Sequence, residues 1–143
     1  MNPEKYLAKI SSKKEQKKFL KDLLNNIQKG IWTDQLDQVI NEERINEVKE
    51  ERAKVEEALK IEMDNLNEIK PETEEYKEQM DKIEEMEMED VKDYRTGQIF
   101  KKKKVDILNE NIQSAEMNIQ GNIKGLTGKF KIQGALLGKL KEL

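Results

Sequence analysis

Gly128 and Lys129 close a glycine-bearing stretch, residues 121–129, whose composition suggests a loop that wraps a phosphate in backbone amides. Such a loop requires another glycine five positions before Gly128 and a hydroxyl directly after the lysine. Those positions hold Ile123 and Phe130, so the spacing argues against nucleotide binding. The chain has 30 acidic residues, which makes carboxylate pairs unavoidable, and no two are singled out for acid/base work. Asp64-Asn65-Leu66-Asn67 lacks the glycine and closing glutamate of a calcium loop. Histidine and cysteine are absent, which removes imidazole catalysis, thiolate nucleophiles and the usual zinc ligands together. Met80, Met86 and Met88 could line a soft-metal or adaptable peptide surface, yet two of the three fall on a helical stripe and read as packing. The expectation is a chain that is not an enzyme, with no cofactor, no metal and no small-molecule substrate.

Lysine is the remaining chemistry. Lys101, Lys102, Lys103 and Lys104, with Lys124, Lys129 and Lys131, form a candidate basic patch. Contacts from it to phosphates would be strongly salt-dependent. Lysine outnumbers arginine 24 to 3, and no aromatics interleave the run, so stacking and bidentate base recognition are poorly supplied. The plainer reading of Lys101–Lys104 is a solvated helix entry facing acidic residues of the same protein.

The net charge of -3 conceals a segregation. Residues 1–30 hold eight lysines against three acids, residues 31–100 ten basic against 23 acidic, and residues 101–143 nine lysines against four acids. Basic ends around an acidic middle can neutralise one another in an antiparallel fold or address outside partners. At 143 residues, 40% charged and 35% hydrophobic, with a mean hydropathy of -0.95, the chain has little material for a layered core. Long helices paired along narrow seams need less. No apolar leader and no long apolar run is encoded, which predicts a cytoplasmic product or one packaged into a virion. Lysine- and asparagine-rich, arginine-poor usage suits an AT-rich genome such as that of a phage or low-GC bacterium.

The elements that must position these residues are helices. Asn2-Pro3-Glu4 opens a short one with Tyr6, Leu7 and Ile10. Ser12 and Glu15 fit a capping box, after which Phe19, Leu20, Leu23, Leu24 and Ile27 line one face and Gly30 supplies a stop. Trp32 is expected to staple the turn into a third helix, 33–70, as a core residue. Ile45, Val48, Arg52, Val55, Leu59, Glu62, Leu66 and Ile69 make a heptad seam there with two polar intrusions. Pro71 breaks the chain, a fourth helix spans 72–94 with Tyr76, Met80, Ile83, Met86 and Val91, and Gly97 marks a turn.

From residue 101 a column of Val105, Ile112, Ile119, Leu126, Gln133 and Leu140 keeps the heptad to the end. A second stripe, Leu108 and Ala115, is read as drifting by one position to Ile123, Phe130 and Leu137. Gly121, Gly125, Gly128, Gly134 and Gly138 each cost about 1 kcal/mol inside a helix, so the tail is expected to be frayed unless docked. Ile119, Ile123, Leu126, Phe130, Leu137 and Leu140 are its predicted partner-binding face.

These readings predict an all-α protein: an elongated helical bundle of coiled-coil-like long helices, with a short N-terminal helical pair and a glycine-containing amphipathic C-terminal tail. Segments are expected at 1–32, 33–100 and 101–143. The expected function is protein–protein interaction or assembly, as scaffold, virion component or complex subunit, with a protein partner or self-association. Alternatives are a small helical inhibitor or regulator that caps another protein's surface, and binding of anionic membrane or nucleic acid through the basic ends.

Overall fold

The computed structural model describes residues 12–143, and the short helix predicted around Tyr6, Leu7 and Ile10 lies outside them. The protein is all-α with one small hairpin: α1 (Lys13–Asn67), α2 (Glu74–Glu87), β1 (Met88–Lys92), β2 (Ile99–Lys103) and α3 (Lys104–Glu142). Among the described residues no helix is long and apolar enough to cross a membrane.

α1 starts where the capping box predicts, with the Glu15 amide donating to Ser12 Oγ at 3.1 Å. It does not stop at Gly30. One glycine costs about 1 kcal/mol, too little to end a helix whose seam residues continue on both sides. Thr33, expected to cap a new helix, instead donates its hydroxyl to the Lys29 carbonyl within the same one, at 3.0 Å. Trp32 is not core. It lies one position past the buried Ile31 and is 61% exposed, because that single step turns its side chain off the seam.

The long helix ends in a tightened turn, in which the amides of Glu68 and Ile69 donate to the carbonyls of Asn65 and Leu66, ahead of Pro71. Glu72 takes a left-handed φ of 67°. Thr73 then caps α2, accepting from the Tyr76 amide at 3.1 Å. The fourth helix is shorter than expected, since the chain turns extended at Met88 and pairs antiparallel with the lysine run. Glu89 faces Lys102, Asp90 faces Lys101, and Val91 faces Phe100 across the ladder. Opposite charges across strands favour this register over helical continuation on either side. Gly97, at φ 72°, closes the loop as predicted, its amide donating to the Asp93 carbonyl at 2.7 Å.

Contacts divide the chain into two compact units, Glu42–Glu116 and the pair Met1–Asn41 with Met117–Leu143. The segment boundaries expected after residues 32 and 100 fall inside α1 and β2. In the unit Glu42–Glu116, the α1 seam predicted from Ile45 onward is met by α2 and the start of α3. Its buried residues are Ile45, Leu66, Ile83, Leu108, Ile112 and Ala115. The other unit, a two-helix unit in its described residues, pairs the first part of α1 with the last part of α3. Its buried apolar residues are Leu20, Ile31, Leu126 and Leu136.

Candidate interaction site

In the two-helix unit the heptad of α1 runs through Leu20, Leu24, Ile27, Ile31, Asp34, Gln38 and Asn41 without a break. That of α3 runs through Ile119, Asn122, Leu126, Lys129, Gln133, Leu136 and Leu140. Both seams turn polar in the middle. Lys129 Nζ meets Asp34 Oδ2 at 2.5 Å and the Gly30 carbonyl at 3.4 Å. Gln133 Nε2 donates to Gln28 Oε1 at 2.9 Å, and Asn118 Nδ2 to Asn41 Oδ1 at 3.5 Å. These pairs run in opposite directions along the two helices, so the helices are antiparallel.

Two glycines make room for this layer. A Cβ on Gly125 would lie 3.0 Å from Asp34 Oδ2, and one on Gly30 would lie 3.2 Å from Lys129 Cε. Asn122 Nδ2 is buried without a hydrogen-bond partner in the same seam. Polar groups in a heptad seam fix register and direction at a cost in stability.

The predicted partner-binding face resolves into two columns. Leu126 is buried and Ile119 and Leu140 are half-buried, so these three belong to the internal seam. Ile123, Phe130 and Leu137 are 48%, 49% and 47% exposed and form the column beside it. The apparent drift of the stripe has a physical cause. Where the seam becomes polar at Asn122 and Lys129, the next residue along is apolar, so the hydrophobic stripe leaves the seam by one position. Nor is the glycine-bearing tail a separate element, because α3 continues to Glu142 against α1.

With seam positions labelled a (Ile31, Leu126) and d (Asp34, Lys129), Ile123, Phe130 and Leu137 occupy e. In an antiparallel pair the two e columns border the seam on one side. A recess on that side is lined by Lys21, Leu24, Asn25 and Gln28 of α1 with Gln133 and Leu137 of α3. Trp32 and Val39 stand at b, next to e, and Leu36 at f beyond it, each at least half exposed. The Gly30–Lys129 contact puts Trp32 and Phe130 at the same level along the helices. The sequence reads Trp32 as core and leaves Leu36 and Val39 unassigned; their spacing of four and three from Trp32 onward, out of phase with the seam, is the signal of a surface face.

The basic patch is scattered. Lys101 and Lys103 lie on β2 within 3.8 Å and 3.6 Å of Glu84 and Glu87 of α2, and Lys102 pairs with Glu110 of α3. Lys104 opens α3, Lys129 sits in the polar layer, and Lys124 and Lys131 are exposed at f. The two polar intrusions are matched within the larger unit. Arg52 Nη1 donates to Asn109 Oδ1 at 2.8 Å. Glu62 accepts from Gln79 at 2.7 Å and Lys82 at 3.2 Å, and these hydrogen bonds, Gln79's first, hold its carboxyl below the ordinary carboxylate range. Among the described residues no group of three or more acidic, histidine or cysteine side chains could hold a metal ion.

Comparison with protein-family models, with curated proteins and with solved structures finds no match.

Proposed function

We propose that the chain is a non-catalytic interaction or assembly protein whose contact surface is the apolar flank of the two-helix unit. The observation that carries this reading is the column Ile123, Phe130 and Leu137, exposed beside Trp32, Leu36 and Val39 on one side of an antiparallel helix pair. Exposed large side chains that share one face of a helical layer mark a contact surface more strongly than the same residues scattered singly. The ion pairs of Lys101, Lys102 and Lys103 with acids of their own unit weaken the alternative in which a basic surface grips phosphates.

A photo-reactive phenylalanine analogue at Phe130 or Leu137, compared with one at the exposed Lys124, tests this in the cells that make the protein. The reading expects protein adducts at Phe130 and Leu137 well in excess of those at Lys124. No adducts, or equal yields at all three, would refute it.

A further inference from the structure

We infer that the apolar flank pairs with the same flank of a second copy of this chain, about a two-fold axis that reverses helix direction and joins two helix pairs into a four-helix bundle. This rests on the reading above and names its partner. Area is the first argument. At surfaces of roughly 200 Å² per large side chain, Trp32, Val39, Ile123, Phe130 and Leu137 at the b and e positions leave on the order of 500 Å² exposed per copy. A specific interface of standard size takes about 800 Å² from each partner, which the polar residues between these would complete.

Charge is the second argument, and it points to a copy rather than a stranger. Near a two-fold axis every residue meets its own twin, so a charge there faces a like charge. Yet in a chain that is 40% charged, the b and e positions of residues 25–39 of α1 and 120–137 of α3 hold no charged residue. A surface built for an acidic or basic partner would carry the complementary sign there.

Orientation follows from what flanks the neutral stretch. Lys18, Lys21 and Lys141 occupy b or e positions at one end of it. A parallel pairing would place both lysine clusters together, whereas an antiparallel one sets them at opposite ends. Trp32 and Phe130, at mid-face, then lie closest to the axis.

Sedimentation equilibrium of the purified full chain from about 1 to 100 µM should give twice the 16.8 kDa chain mass. Phe130→Glu, which brings two carboxylates to the axis, should weaken association roughly a hundredfold with helical circular dichroism unchanged. Should that variant lose helix content, the uncharged Trp32→Gln tests the same face. Because the chain contains no cysteine, single thiols report the geometry. Phe130→Cys should oxidise to a linked dimer, while Ile123→Cys and Leu137→Cys should link when mixed and poorly when alone. A monomer at every concentration, or a dimer indifferent to Phe130→Glu and Trp32→Gln, overturns the inference, and self-linking of Leu137→Cys overturns the antiparallel arrangement. Photo-adducts of foreign mass at Phe130 on a monomeric chain would remove the second copy but keep the interaction reading; absence of adducts would remove both.

Discussion

The two units use one heptad in opposite ways. In Glu42–Glu116 about half of all residues are charged, and the seam intruders Arg52 and Glu62 find their partners on α3 and α2. With a third helix supplying Ile83, that unit buries apolar residues from three helices, while Ile61, Met63, Met80, Tyr94, Ile99 and Phe100 stay exposed among its charged side chains. Among the described residues the two-helix unit has no third helix. Over residues 23–41 and 117–138 its charged side chains are Lys29, Asp34, Asp37, Lys124, Lys129 and Lys131, and its flank is apolar. A narrow seam between two helices buries little, which leaves the large apolar side chains of its flank facing solvent.

The largest expected effect lies at the seam of the two-helix unit. Leu136 is fully buried and Ile31 nearly so, so Leu136→Ala or Ile31→Ala should cost about 2 to 4 kcal/mol in chemical denaturation. A cost below about 1 kcal/mol would mean that this helix pair contributes little to stability. For the same reason, truncation after Lys104 should not spare the environment of Trp32, because it removes the partner helix of the first part of α1. A smaller effect is expected at the polar layer. Asp34→Leu or Lys129→Leu alone should destabilise by roughly 1 to 2 kcal/mol, discounted because both side chains keep some solvent contact. The double replacement should recover that loss or exceed it, while losing uniqueness of register. Additive losses would show that the pair does not couple.

Most of the fold is legible in the residues. The cap at Ser12, the seam from Ile45 to Leu66, the break at Pro71 and the turn at Gly97 follow from local rules and stand in the structure. The failures have two causes: a partner elsewhere in the chain, or an apolar residue one step off the seam. Gly30 reads as a stop until Lys129, 99 residues away, is seen to use the space above it. Residues 88–92 read as helix until Lys101 and Lys102 pair across from Asp90 and Glu89. On α3, hydrophobicity alone places Ile123, Phe130 and Leu137 in the seam, where Asn122, Lys129 and Leu136 belong.

The glycines of α3 differ in what surrounds them. Gly128 has open space where a Cβ would stand, so Gly128→Ala should raise stability by about 0.5 to 1 kcal/mol through helix propensity alone. Gly125→Ala gains the same propensity but brings its methyl to 3.0 Å from the Asp34 carboxylate, and should yield no net gain. Equal melting-temperature shifts for the two variants would show that the polar layer yields freely and does not set the spacing of the helices.

The smallest expected effect lies in the larger unit, at Glu62. Its carboxyl accepts from the Gln79 side chain and from Lys82, and these hydrogen bonds favour the ionised form and lower its pKa in the folded state. A group whose folded pKa lies below its unfolded one contributes stability in full above the unfolded value, and loses it as pH falls through the folded value. The link between α1 and α2 should therefore be intact at neutral pH and weaken on acidification below the ordinary carboxylate range. Because other acids titrate nearby, the measurement must be local. In the parent the side-chain amide protons of Gln79 should shift with pH at a midpoint below that of an unperturbed glutamate. In Glu62→Gln this step should vanish while the amide stays bonded to the Glu62 carbonyl position, which lies 2.9 Å away and does not titrate. A Gln79 signal that titrates identically in both proteins would place its response on another carboxylate and remove Glu62 from the contact.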